Sequence, residues 1–141
     1  MTQQDHHIFD QTLHEANAWL NEVENTLNAP NHQVAYHALR GVLFAIRDRI
    51  TPEEAMDMAS QLPVLLRGVY FEGYQVSGKP EKFRTREEFL RRVNEELQRG
   101  GGFDPQKATE GIFEVLNHHI SDGQMNHVLR AMPKGVVSEK A

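Results

Sequence analysis

Apolar residues recur at alternating steps of four and three through Phe9, Leu13, Ala16, Leu20, Val23 and Leu27. That spacing lays one stripe along an amphipathic α-helix. Asn28, Ala29 and Pro30 close it, because proline cannot continue a helix and disfavours helix in the residue before it. Asn31 is placed to cap a second helix, whose buried face is Ala35, Leu39, Val42 and Ile46, widened by Leu43. Thr51-Pro52-Glu53-Glu54 predicts a third start: a capping hydroxyl, a first-turn proline and a glutamate that closes a capping box. This short helix is expected to bury Ala55, Met58, Ala59 and Leu62. Pro63 opens a further short helix carrying Val64, Leu65, Val69 and Tyr70, which Gly73 ends. Gln75 to Lys82 reads as a loop.

The pattern then returns. Thr85 and Glu88 form a second capping box, ahead of Phe89, Leu90, Val93 and Leu97. Gly100, Gly101 and Gly102 break that helix. Asp104-Pro105 starts another with Ala108, Ile112, Val115 and Leu116 on its apolar face. Ser121 and Gln124 are a weaker box before Met125, Val128, Leu129 and Met132. Placed on the first half with a shift of 70 positions, Phe89 falls on Trp19, Leu90 on Leu20, Val93 on Val23 and Leu97 on Leu27. Gly111 falls on Gly41, Ser121 on Thr51 and Pro133 on Pro63, with no gap. Helical periodicity explains the matched apolar positions but not the matched mid-helix glycines, caps and prolines, so an internal duplication is expected. A glycine inside a helix costs about 1 kcal/mol relative to alanine, so Gly41 and Gly111 are expected to offset that by letting another helix come close.

The expected fold is therefore all-α: one helical domain of two pseudo-symmetric three-helix halves, about 5–62 and about 85–137, joined by a short helix and loop over 63–84. A triplet alone buries too little to be stable, so the halves should share one core.

Composition narrows the class. The 141 residues hold no cysteine, which excludes disulfides and thiolate metal sites and fits a reducing, cytoplasmic setting. A polar N-terminus and the lack of a long apolar run point away from a secretory signal and a membrane span. The net charge of −5 argues against a general nucleic-acid binder. Its distribution is uneven. No Lys or Arg precedes Arg40, whereas Asp5, Asp10, Glu15, Glu22 and Glu24 do, and Lys79, Lys82, Arg84, Arg86, Arg91 and Arg92 gather around the start of the second half. These are two solvated faces, or an acidic first helix that meets the basic segment within the chain or across a dimer.

The run from Leu39 to Tyr74, LRGVLFAIRDRITPEEAMDMASQLPVLLRGVYFEGY, followed by SGKPEKFRTREEFLRRV, closely resembles the bacterial domain of unknown function 2267 family. The resemblance covers nearly the whole chain. It is most specific at Thr51 to Glu54, at Gln61 to Tyr74 and at Thr85 to Leu90. Tyr74 stands where that family carries tryptophan at least as often. The resemblance implies an all-helical duplicated fold and carries no activity, substrate or cofactor.

Chemistry is weakly signalled. His6, His7 and His14 are spaced to lie near one another if the first helix includes them, and His118, His119 and His127 flank a helix–helix turn, but there is no HExxH and no repeated Glu-x-x-His pair. No metal site and no cofactor is expected. His37 falls on Lys107 in the repeat and is expected at the surface. Ser60, Ser77, Ser121 and Ser138 lack the context of a nucleophile elbow. Paired carboxylates such as Glu53 and Glu54 sit in helix first turns, where they complement the helix dipole. The Gly100–Gly102 run lacks the Lys-Ser or Lys-Thr of a phosphate loop. No catalytic residue is identified, and an enzyme is the third-ranked reading.

The central segment remains. Arg67, Tyr70, Phe71 and Tyr74 occur together, followed by Lys79 and Arg84, and aromatics with arginine are enriched at interface hot spots. They either cover the seam between the halves or form a binding surface. The leading expectation is a small non-enzymatic cytosolic interaction or adaptor module, with self-association or a protein partner. The alternative is a small-ligand or anion-binding domain using the groove between the halves.

Overall fold

The computed structural model describes residues 7–137; Asp5, His6 and Ser138 lie outside them. These residues form seven α-helices and no strand: α1 (Asp10–Leu27), α2 (His32–Arg49), α3 (Pro52–Ala59), α4 (Val64–Phe71), α5 (Arg86–Arg99), α6 (Pro105–His119) and α7 (Asp122–Ala131). No described helix is long and apolar enough to cross a membrane.

Local chemistry sets the helix boundaries. The Asn31 side chain accepts from the Val34 amide, and Thr51–Glu54 and Thr85–Glu88 are complete reciprocal capping boxes. Asp104 accepts from the Gln106 and Lys107 amides ahead of Pro105. At Ser121 the box is opened to a distant partner. Its hydroxyl accepts from the Gln124 amide, but its own amide donates to Gln61 Oε1 at 2.7 Å, tying α7 to the end of α3. α1 ends at Leu27, three residues before Pro30, where Asn28 adopts the left-handed conformation (φ 53°).

α1 and α5 each pack against both α2 and α6, and α2 and α6 meet across the middle. The core runs along these contacts through Trp19, Val23, Leu39, Val42, Leu43, Ile46, Phe89, Val93, Ile112 and Leu116. α4 lies on α1 and α2, and α3 touches α7. The two helix glycines sit at close crossings. A methyl at Gly41 would meet Val93 and Glu96 of α5, and one at Gly111 would meet Leu27 and Thr26 of α1.

Several side-chain placements differ from expectation. Phe9 and Leu13 are 72% and 51% exposed, because the buried face of α1 begins only at Ala16. Trp19 and Phe89 occupy the core, while Leu20 and Leu90, next to them in sequence, are only partly buried. In α4 the buried residues are Leu66 and Tyr70; Val64 and Leu65 face outward. His37 is not a surface residue. Its side chain is 13% exposed, and Nδ1 lies 2.6 Å from Glu96 Oε2. The α2–α5 approach draws it in.

Candidate functional site

The last turn of α2 places Arg47 and Asp48 beneath the end of α4. Helix α4 stops at Phe71, and its C-terminal carbonyls have no intrahelical partner. Arg47 supplies one: Nη1 donates to the carbonyls of Tyr70 and Glu72, both at 2.7 Å. Its guanidinium also stacks 4.0 Å from the Phe44 ring centroid and donates through Nε to Asp48 Oδ1 at 3.2 Å. A planar fork makes all of these at once, which an ammonium cannot.

Asp48 is the hub of a charged network. Arg92 Nη1 lies 3.3 Å from Asp48 Oδ2, and Lys79 Nζ 3.8 Å from Oδ1. Lys79 also pairs with Glu81 at 3.1 Å, and Arg92 bonds to Glu81. Burial pushes the Asp48 carboxyl up from its ordinary value; Arg47 opposes this and Glu81 adds to it. Glu81 is held below the ordinary carboxylate range by the hydrogen bond from Arg92, against burial and with help from Lys79. The Glu81 amide donates to the Asp48 carbonyl at 2.7 Å, and Arg49 Nε donates to the Phe83 carbonyl at 3.0 Å. Together these contacts fasten the segment after α4 along the end of α2.

Of the six sequence-predicted site residues, the structure brings four together. Tyr70 is fully buried, with its ring edge-on to Phe71 at 4.8 Å. Phe71 packs against Tyr74 at 5.5 Å, and Lys79 Nζ sits 5.5 Å from the Tyr74 ring centroid. Burial raises the Tyr70 phenol well above its ordinary value, and the hydroxyl has no protein partner. Tyr70 belongs to the core, and Phe71 and Tyr74 pack against it partly buried. Arg67 and Arg84 stand apart from this group, both exposed. Arg67 donates to the Leu62 carbonyl at 2.9 Å, capping the end of α3.

Of two concave surfaces, one borders the network. It is an open cleft of about 350 Å³ between α2 and α5, lined by Arg40, Phe44, Arg47, Glu95 and Arg99 among others. Phe44 lies between the guanidiniums of Arg40 (4.6 Å) and Arg47 (4.0 Å). Arg40, however, pairs with Glu72 and Glu96, Arg47 with Asp48, and Arg92 with Asp48 and Glu81. Their charge is largely answered within the chain. The other is a groove of about 320 Å³ where α1, the α3–α4 elbow and the end of α6 meet, lined by Trp19, Pro63, Val64, Arg67 and Glu15. At its edge His119 stacks on Trp19 (4.3 Å), and Glu22 is held by His118 Nδ1 (2.8 Å) and His119 Nε2 (2.7 Å).

Sequence reasoning missed Arg47, Asp48, Glu81 and Arg92. The available signal was a charged Arg47-Asp48 pair directly after core Ile46, on a helix otherwise apolar on that side. Among the described residues, the acidic first helix makes no ion pair with the basic segment inside the chain. Its described ion pairs are with histidines: Asp10 with His7, Glu22 with His118 and His119, and Glu24 with His32.

A family model described as "Uncharacterized conserved protein (DUF2267)" matches residues 16–138. No curated protein matches the chain.

Proposed function

This chain belongs to the DUF2267 family, and we propose that it works as a small non-enzymatic, cytosolic protein-interaction or adaptor module. One observation carries this reading. The start of α1 has no core beneath it: no residue from His7 to Glu15 is buried, and Ile8, Phe9 and Leu13 are among the most exposed apolar side chains. Val64 and Leu65, on the helix that packs on α1, are 61% and 43% exposed. Grouped exposed apolar side chains rimmed by charge mark interaction surfaces. The interface is thus moved from the central aromatics to the outer edge of α1 and α4. The close crossings at Gly41 and Gly111, matched in the 70-residue shift, support reading the scaffold as an internal duplication.

The second reading, a small-ligand or anion site, is favoured by Phe44 between two guanidiniums in the α2–α5 cleft. It ranks lower because those guanidiniums already pair with carboxylates.

The test is a photo-reactive residue placed in cells at Leu13, at Val64 and, as a control, at exposed Gln98. One adduct of defined mass shared by the Leu13 and Val64 positions and absent at Gln98 is expected. No adduct at either position, or equal labelling at all three, overturns the interaction reading.

A further inference from the structure

The exposed start of α1 and the groove lined in part by Glu15 and Trp19 of the same helix both present apolar side chains to solvent. From Asp10 to Glu15 the helix makes more than one and a half turns before Ala16, its first buried residue. A short helical stretch gains little from backbone propensity alone and depends on packing of its apolar face. Phe9 and Leu13 are one turn apart and form such a face, yet they lie in solvent. The groove offers Pro63 and Val64 as an apolar wall, and Leu65, the next residue of α4, is exposed as well.

Charge is matched as well. The α1 start carries Asp10 and Glu15, and no Lys or Arg precedes Arg40. The groove carries Arg67 on its α4 side and Glu15 on its α1 side, and the Arg67 guanidinium reaches only the carbonyls of Leu62 and Ser60. Among the described residues no carboxylate lies within ion-pair distance of it. Asp10 is exposed and engages only His7.

Resting on the interaction reading above, we infer that the groove's occupant is the start of α1 from a second copy of this chain. Phe9 and Leu13 of one copy lie along Pro63, Val64 and Leu65 of the other, and Asp10 stands over Arg67. Because α1 supplies both the inserted turn and a wall of the groove, each copy fills the other's groove. The interface closes as a two-fold dimer and does not run on into a filament.

The experiment is light scattering after size exclusion over a concentration series, on the full chain and three variants: Leu13→Asp, Asp10→Arg and Arg67→Glu. Helical circular dichroism accompanies each, since Arg67 also caps α3. A wild-type dimer is expected, with Leu13→Asp raising its dissociation constant by about tenfold or more, as loss of a hot spot does. Asp10→Arg and Arg67→Glu each weaken the homodimer. Mixed one to one, they restore a heterodimer: the introduced arginine of one variant meets the introduced glutamate of the other, and the remaining contact keeps its native Asp10 and Arg67. A wild-type monomer at every concentration, or a dimer that the variants and their mixture leave unchanged, overturns the proposal. If the chain is monomeric while the Leu13 and Val64 crosslinks still capture one different protein, the second copy is wrong and the interaction reading stands. If both experiments are blank, both fail.

Discussion

Gly41 lies hard against Val93 of the neighbouring helix: a methyl group at Gly41 would stand 3.0 Å from the Val93 carbonyl oxygen and 3.0 Å from Glu96 Cβ. Alanine favours a helix over glycine by about 1 kcal/mol, but a backbone carbonyl cannot yield without moving α5. Gly41→Ala is therefore expected to destabilise by about 1–2 kcal/mol net. At Gly111 the methyl would run into Leu27 Cδ2, a closer contact but one with the end of a side chain that can rotate. Gly111→Ala should cost less than Gly41→Ala. Gly68 in α4 faces nothing within 4 Å, so Gly68→Ala should stabilise by about 0.5–1 kcal/mol. Urea midpoints of the three variants check the ordering; a stabilised Gly41→Ala would refute the close crossing.

Those glycines show how much of the fold was legible. Helix starts are written in adjacent residues, so the caps at Asn31, Thr51, Thr85 and Asp104 were readable without any tertiary knowledge. Mid-helix glycines signalled a close crossing, but not which helix makes it. The choice between Trp19 and Leu20, or between Phe89 and Leu90, was beyond periodicity. Neighbouring positions both fit a stripe about 100° wide, and only packing decides between them. At the site, Tyr70, Phe71, Tyr74 and Lys79 were found because they are near in sequence. Arg47, Asp48 and Arg92 were missed because their role depends on where the end of α4 comes to rest. Arg67 was singled out with the aromatics but serves the end of α3.

Arg47 has a role that charge alone cannot fill. It donates to the Tyr70 and Glu72 carbonyls and to Asp48 while stacking on Phe44. Arg47→Met keeps much of the packing but leaves two carbonyls and part of Asp48 unanswered in a buried place, at a cost of about 3–5 kcal/mol. Arg47→Lys restores the charge without the fork, so it should recover less than half of that loss. Thermal and urea unfolding decide. Full rescue by lysine would mean that the charge, not the geometry, holds the end of α4.

The Tyr70 ring is core, while its hydroxyl has no protein partner. Tyr70→Phe keeps the packing and removes only that hydroxyl, so its stability should stay within about 1 kcal/mol of wild type. Tyr70→Ala opens a cavity and should cost about 3–5 kcal/mol. Equal losses in the two variants, measured by urea unfolding, would show instead that the hydroxyl carries the contribution.

Glu22 joins α1 to the end of α6 through His118 and His119, and this tie responds to pH. Burial alone would push its pKa up, but the hydrogen bonds and charges of His118 and His119 together outweigh burial and hold it below its ordinary value of 4.5. A carboxylate whose pKa is depressed on folding stabilises the native state above its unfolded pKa and loses that contribution as pH falls through the folded value. Glu22 is partly open to solvent, so the contribution is small, about 0.5 kcal/mol. Glu22→Gln is therefore expected to be slightly less stable than wild type at pH 7. The gap should persist down to the ordinary carboxylate range and close as pH drops below it. Denaturant midpoints of both proteins, taken in steps from about pH 7 to about pH 3, across the range where a carboxylate titrates, read this directly. A gap that stays constant across the series would mean that Glu22 acts through packing of its side chain, and that the charge shared with His118 and His119 does not hold α1 to α6.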